Sequence, residues 1–259
     1  ASLVSSGVML ISMLMWPMIT SVYNKKSKKR KRLKLISKYG NYLEQKKKEL
    51  TDELVLQKNI LIENLISIDE CLNILKQKNM NFWNKRLDQG DILVARIGKG
   101  NALFDVKIEY PDEGFTIEED ELKKQADKLI SEYKYINDVP ISYSFYDNKL
   151  SAIMGTNRLK CINFVNNIIL QFITFYSYED LKLVVFTNES NAVNWEYIKY
   201  LNHNFSNDKR IRFFSSTLDS KNEVLDYLYQ EYNFRVNEKD SSSEKKKVYR
   251  PHYLIVVDD

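Results

Sequence analysis

The chain opens on an uncharged, predominantly apolar run, Leu3 to Val22, and polarity reverses at once in a block holding Lys25, Lys26, Lys28, Lys29, Arg30, Lys31, Arg32 and Lys34. Twenty residues at a rise of about 1.5 Å span the hydrocarbon core of a bilayer, which predicts a transmembrane helix over residues 1–23. A secretory signal carries its cations ahead of a shorter apolar core, so the order here excludes one. Cations just beyond a span hold that end in the cytoplasm, which places residues 24–259 on the inner side of the cell membrane. Trp16 and Tyr23 sit at interfacial depth, and Pro17 lies near the inner end, where a kink is tolerated. The chain starts at Ala1, at the edge of this run and with no initiator Met, as expected of a piece of a longer protein.

Beyond the polybasic segment, 24–34, apolar positions recur at intervals of three and four through residues 35–80. They include Ile36, Tyr39, Leu43, Leu50 and Leu54, then Leu61, Leu65, Ile68, Leu72 and Leu75. With Gly40 the sole glycine and no proline, this predicts one long helix or two in series. Such a helix is either a stalk reaching roughly 65 Å or a hairpin packed on the following domain.

From residue 81 the period shortens. Strands are expected at Asp91–Arg96 and Leu103–Glu109, joined by a turn at Gly98-Lys99-Gly100. A helix is expected from Glu118 to Tyr135, its first turn crowded by Glu118, Glu119, Asp120 and Glu121. After Pro140, strands (Ile141–Phe145, Leu150–Met154, Leu181–Phe186, Ile211–Phe214, Tyr253–Val257) alternate with helices (Arg158–Tyr176, Asn194–Leu201, Lys221–Arg235). Alternation of this kind predicts an α/β domain over 81–259, a mostly parallel sheet in three layers, with Tyr253–Val257 covered on both faces. Residues 237–247 read as a solvated loop.

Composition narrows the function. The chain has 39 basic and 35 acidic residues. Eight of the basic ones fall in 25–34, so the remaining 31 face 35 acids, a net of −4. The basic total is therefore local, and the cytoplasmic part is no nucleic-acid surface. The polybasic block also suits anionic lipid headgroups. Cys71 and Cys161, far apart and cytoplasmic, form no expected disulfide, and two histidines without a Cys pair exclude a structural zinc site.

The C-terminal segment Tyr-Leu-Ile-Val-Val-Asp-Asp, 253–259, has the form of a Walker B strand, with Asp258 and Asp259 at its carboxyl end to hold Mg²⁺ and orient water. Upstream, a strand, Gly155 and a helix stand where a phosphate loop belongs. That loop requires G-x-x-x-x-G-K-[ST], with bare backbone to wrap phosphate, Lys to reach its oxygens and a hydroxyl for Mg²⁺. Counting from Gly155, through Thr156 and Asn157, the second Gly falls on Lys160, the Lys on Cys161 and the hydroxyl on Ile162. The expected site thus keeps the scaffold and loses its grip, with no catalytic residue and no metal site. There is no G-x-S-x-G elbow, and Gly98-Lys99-Gly100 lacks the third Gly of a dinucleotide fingerprint. His203 and Trp195 are expected to pack the interior.

Together these pieces resemble the membrane-bound FtsK/SpoIIIE-type ATPases of type VII secretion, the EssC family. A W-x-x-R segment and a following D-h-h-x-x-R-x-G stretch match Trp83, Arg86, Asp91, Ile92, Leu93, Arg96 and Gly98. A V-P-I segment matches Val139, Pro140 and Ile141, and W-x-x-x-K-x-L-P-H matches Trp195, Lys199, Leu201 and His203, with Asn202 where Pro is expected. The resemblance covers essentially the whole chain. It implies a membrane helix, a stalk and a degenerate first RecA/P-loop-like ATPase domain, with true Walker motifs, ATP and Mg²⁺ in domains downstream. It also implies a hexameric assembly with other membrane components of the system, exporting small helical WXG-type proteins. The competing readings are a DNA translocase segment of the same superfamily and a domain that senses nucleotide without cleaving it.

Overall fold

The computed structural model describes residues 2–88, 90–107, 121–241 and 249–258; the side chains of 2–15, 17–19, 121, 122 and 239–241 are outside that description. The chain divides into two units, residues 1–61 with 100–139, and residues 62–99 with 140–259.

The first unit is built on α1, Ser2–Asn64. Among the described residues no helix is long and apolar enough to cross a membrane, and the run Leu3–Val22, on which that expectation rests, falls largely on side chains outside the description. The lower part of α1 is braced by the start of β2 (Tyr135–Ser144) and the turn leading into it. The Thr51 and Tyr133 hydroxyls are 2.6 Å apart, and Lys58 Nζ donates to the Asn137 carbonyl at 3.2 Å. Gln57 takes both polar groups of Asp105, accepting from its N–H at 3.2 Å and donating to its C=O at 2.9 Å. Phe104, Ala126 of α3 (Glu121–Glu132), Ile136 and Val139 are buried. The acid-rich start expected for α3 at 118–120 lies outside the described residues.

The helical seam breaks after Asn64. Ser67 caps a separate helix, α2 (Ile68–Gln77), accepting from the Glu70 N–H while the Glu70 carboxylate accepts from the Ser67 N–H. This reciprocal cap satisfies two otherwise orphaned donors, and those bonds hold the Glu70 carboxyl below its ordinary range. Cys71 and Ile74 of α2 are buried, and α2 lies on α4 (Arg158–Phe175) in the second unit.

In place of the hairpin expected around Gly98-Lys99-Gly100, one strand, β1 (Val94–Leu103), runs straight through both glycines and forms a two-stranded sheet with β2. Neither glycine has a positive φ, so the backbone stays extended there. A β-strand tolerates glycine when a partner strand supplies the hydrogen bonds. β2 likewise runs through Pro140, read from sequence as a boundary.

The second unit holds a parallel three-stranded sheet in the order β4-β3-β5, from β3 (Leu181–Thr187), β4 (Phe214–Ser215) and β5 (His252–Asp258). Side chains alternate across β3. Leu183 and Val185 face α4 with Ile162, Ile169, Trp195 and Ile198, while Val184 faces α5 (Leu218–Ser241) with Phe213 and Val224. The expectation of a mixed α/β unit with a parallel sheet thus holds. A further core joins Cys71, Leu87, Leu93, Ala95, Phe172 and Tyr176.

Other local expectations also fail; the strand expected at Leu103–Glu109 does not continue over 104–107, and 108–109 lie outside the described residues. Residues 150–154 form no strand; Leu150 and Met154 are 95% and 91% exposed, because no described strand lies beside them to reward pairing. β5 is not covered on both faces, since Ile255 and Val257 are exposed while Tyr253 packs near Phe213 and Tyr227. The expected loop at 237 begins inside α5, which continues to Ser241; residues 242–247 lie outside the description. The segment 192–200, read as a short helix, is a 3₁₀ helix.

Candidate functional site

The carboxyl ends of parallel strands and the N-termini of the helices beside them are where open α/β sheets bind phosphates. Here that place is formed by the loop ahead of α4 and by Asp258 at the end of β5. Gly155, Thr156, Asn157, Lys160 and Cys161, together with Met154, line a cleft of about 380 Å³. Ile162 points away into the core. Asp259 lies outside the described residues.

Two polar groups at this place are already engaged. The first turn of α4 would offer bare N–H groups to an anion, but the Asn157 side chain accepts from the Lys160 N–H at 3.1 Å. A Cβ at Gly155 would stand 2.8 Å from the Cys161 sulfur, so a larger residue there must displace that side chain. Asp258, the one described carboxylate at the expected Mg²⁺ position, is held at both oxygens. Arg158, from the first residue of α4, reaches Oδ1 at 2.6 Å, and the buried Trp195 donates its indole N–H to Oδ2 at 2.7 Å. A carboxylate so held is not free to orient metal-bound water. The residues present therefore do not fit ATP·Mg²⁺: two protein donors stand where a phosphate-bound metal would act, and the loop's lysine and hydroxyl positions are Cys161 and Ile162. Among the described residues no cluster of three potential metal ligands occurs.

Sequence reading named the loop and Asp258 but missed Arg158 and Trp195 as their partners. Arg158 immediately follows the cap residue at a helix start, where a cation opposes the helix dipole; that misplacement was the available signal.

The motif residues near 83–98 support this architecture. The Trp83 and Lys85 N–H groups donate to the Thr174 and Phe175 carbonyls at 2.9 and 3.2 Å, and the Trp83 indole donates to Ile173 C=O at 3.1 Å. These bonds close the C-terminal turn of α4, whose last carbonyls have no helical partner. Lys85 also pairs with Asp91 at 2.8 Å. Leu93 N–H donates to the Tyr176 hydroxyl, and the Arg96 guanidinium donates to Leu65 C=O, both at 3.0 Å.

His203 is buried, as expected, its Nε2 lying 2.9 Å from the Tyr176 carbonyl, an arrangement that requires the Nε2–H tautomer. Desolvation pushes its pKa below 6.5, reinforced by the Lys182 charge; burial and then Arg235 do the same to His252. With both pKa values lowered in the folded state, the unfolded chain binds more protons as pH falls through 6.5, and stability falls with it. Thermal melts should show Tm dropping from pH 7.5 to 5.5, with both imidazole C–H resonances titrating below 6.5; a ring titrating above that value would contradict the assignment.

No family model matches the chain. It is 25% identical over 238 residues to the ESX secretion system protein EccC of Geobacillus thermodenitrificans (strain NG80-2), covering 91% of this chain and 16% of that protein. It is 24% identical over 253 residues to the ESX secretion system protein YukB of Bacillus subtilis (strain 168), covering 95% and 16%. It is 24% identical over 244 residues to the type VII secretion system protein EssC of Staphylococcus aureus (strain NCTC 8325 / PS 47), covering 93% and 16%. The chain is thus similar over more than nine-tenths of its length to type VII secretion proteins of the EccC, YukB and EssC kind, and it spans 16% of the length of each of these relatives.

Proposed function

We propose that this chain is the membrane-anchored stalk and a non-hydrolysing, RecA/P-loop-like module of a type VII secretion motor. The observation that carries the reading is the double engagement of Asp258 by Arg158 and Trp195 beside a capped α4 N-terminus. Phosphoryl-transfer catalysis is mostly charge stabilisation at the phosphates, and the cleft has Cys161 and Ile162 where the loop's lysine and hydroxyl would supply it. The apolar run Leu3–Val22 and the cations of 25–34 supply the anchor, with 24–259 on the cytoplasmic side. α1 carries motion or position between the bilayer and the α/β unit. Turnover of ATP with Mg²⁺ belongs to other domains of the full-length protein, which assembles as an oligomer with the remaining membrane components and exports WXG-type helical proteins. The net −4 outside the polybasic block argues against DNA as the cargo.

The purified 259-residue chain in detergent should release no phosphate from ATP with Mg²⁺ above the buffer rate. Robust Mg²⁺-dependent hydrolysis, abolished by Asp258→Asn, would overturn the reading.

A further inference from the structure

A second cleft, of about 460 Å³, opens beside the start of β3 and is lined by Tyr178, Glu179, Lys182, Phe205, Lys209 and Arg250, among others. It is separate from the α4 loop and owes nothing to the nucleotide-fold reading. Its unusual member is Lys182, only 2% exposed. β3 is otherwise Leu, Val, Phe and Thr, and Lys182 stands in the same alternating row as Val184 and Phe186, where an apolar side chain is the rule.

A buried ammonium is normally matched by a carboxylate or by several acceptors. Among the described residues, Lys182 has no hydrogen-bond or ion-pair partner; its ammonium lies 5.6 Å over the Tyr178 ring. The nearby acids do not answer it. Asp180 is spent on Arg250 at 3.2 Å and on the Ser177 hydroxyl at 3.0 Å. Glu179 is exposed and makes no salt bridge to it. Desolvation pulls the Lys182 pKa down, and only the Glu179 charge opposes the fall. A residue that breaks the local pattern without an internal compensation marks a place where something external supplies it.

We propose that this cleft binds a monocarboxylate carrying an apolar body, its carboxylate meeting the Lys182 ammonium. Asp180 is matched by Arg250, and the exposed Glu179 and Lys209 offset one another in formal charge, which leaves the one buried cation of Lys182 to balance one negative charge. The volume far exceeds a carboxylate group, and Tyr178, Phe205 and Pro251 offer apolar wall for the remainder. A free small acid and the C-terminal carboxylate of a peptide share this chemistry.

Calorimetry on the full 259-residue chain tests it with four probes: N-acetylphenylalanine, its amide, and a pentapeptide ending in Phe with a free or an amidated terminus. Inorganic phosphate serves as competitor. Both free acids should bind, each amide at least about tenfold more weakly, which is the loss of one charge-assisted contact. Tighter binding of N-acetylphenylalanine assigns a small-molecule ligand, and tighter binding of the free-acid peptide assigns a protein terminus; either supports the site. Lys182→Met should abolish acid binding while keeping or raising Tm, since it removes an unmatched buried charge at similar volume. The acid-against-amide comparison on the native chain stands whether or not that variant folds. Absence of saturation by either acid, equal binding of acid and amide, or displacement by phosphate at equal concentration would overturn the proposal.

Discussion

Trp195→Ala should destabilise the second unit by about 3–5 kcal/mol, the usual cost of truncating a fully buried Trp. Trp195 is 1% exposed and packs among Ile162, Ile169, Leu183, Val185 and Ile198, between α4 and the sheet. The substitution empties a large core volume and also withdraws the donor from Asp258 Oδ2. The two contributions separate in a second variant. Trp195→Phe keeps much of the packing and deletes the N–H, so it should cost less, while leaving Asp258 tied only to the half-exposed Arg158. Denaturant melts followed by far-ultraviolet circular dichroism measure both. A loss below about 1 kcal/mol for Trp195→Ala would mean that the indole does not occupy this core.

Gln171→Leu should cost about 2–3 kcal/mol by a different mechanism, since it keeps the volume and removes only polar bonds. Gln171 is a buried amide in the middle of α4 and behaves as a one-residue strand. Its Oε1 accepts from the Arg96 N–H at 2.8 Å and its Nε2 donates to the Arg96 C=O at 2.9 Å. It thereby terminates the free edge of β1 on a helix surface. Leucine would leave that N–H and C=O facing a side chain that cannot answer either. Gln171→Glu discriminates further: it retains the acceptor for the N–H but places a charge against the Arg96 carbonyl, so it should lie at or below the Leu variant in stability. Hydrogen exchange at the Arg96 amide gives a direct readout. It should accelerate in both variants more than amides of β3 do; unchanged protection would contradict the assignment.

How far the fold was legible depends on which element is considered. The helix over residues 158–176, the strand at 181–186 and the strand at 253–257 were read nearly to their ends, because each carries a dense apolar run bounded by a turn. The break between α1 and α2 was less visible. The four-three apolar seam passes through it in phase, and only the Ser67-x-x-Glu70 cap marks it. The hairpin at 98–100 was misread because two glycines look the same in an extended strand as in a turn; the deciding partner, β2, lies some forty residues away in sequence. Residues 150–154 have strand composition but no neighbour to pair with, and composition cannot reveal a missing neighbour.

For the site, the loss of the loop's lysine and hydroxyl was plain from spacing alone. What fills the gap was not. Arg158 and Trp195 meet Asp258 across separations of 100 and 63 residues, and such meetings are set by the topology of α4 and β5, not by a local motif. The same holds for Lys182, whose oddity is visible in sequence as one cation inside an apolar strand but whose cleft is not.

On the proposed reading, the cleft ahead of α4 does not grip a nucleotide. Equilibrium binding of ATP to the 259-residue chain in the presence of Mg²⁺ tests it most directly, followed by calorimetry together with amide shifts of the segment from Ile153 to Cys161. No saturable heat and no shift of those amides at millimolar nucleotide is the predicted result. Saturable binding that moves the Gly155, Thr156 and Lys160 amides and breaks the Arg158–Asp258 contact would contradict it.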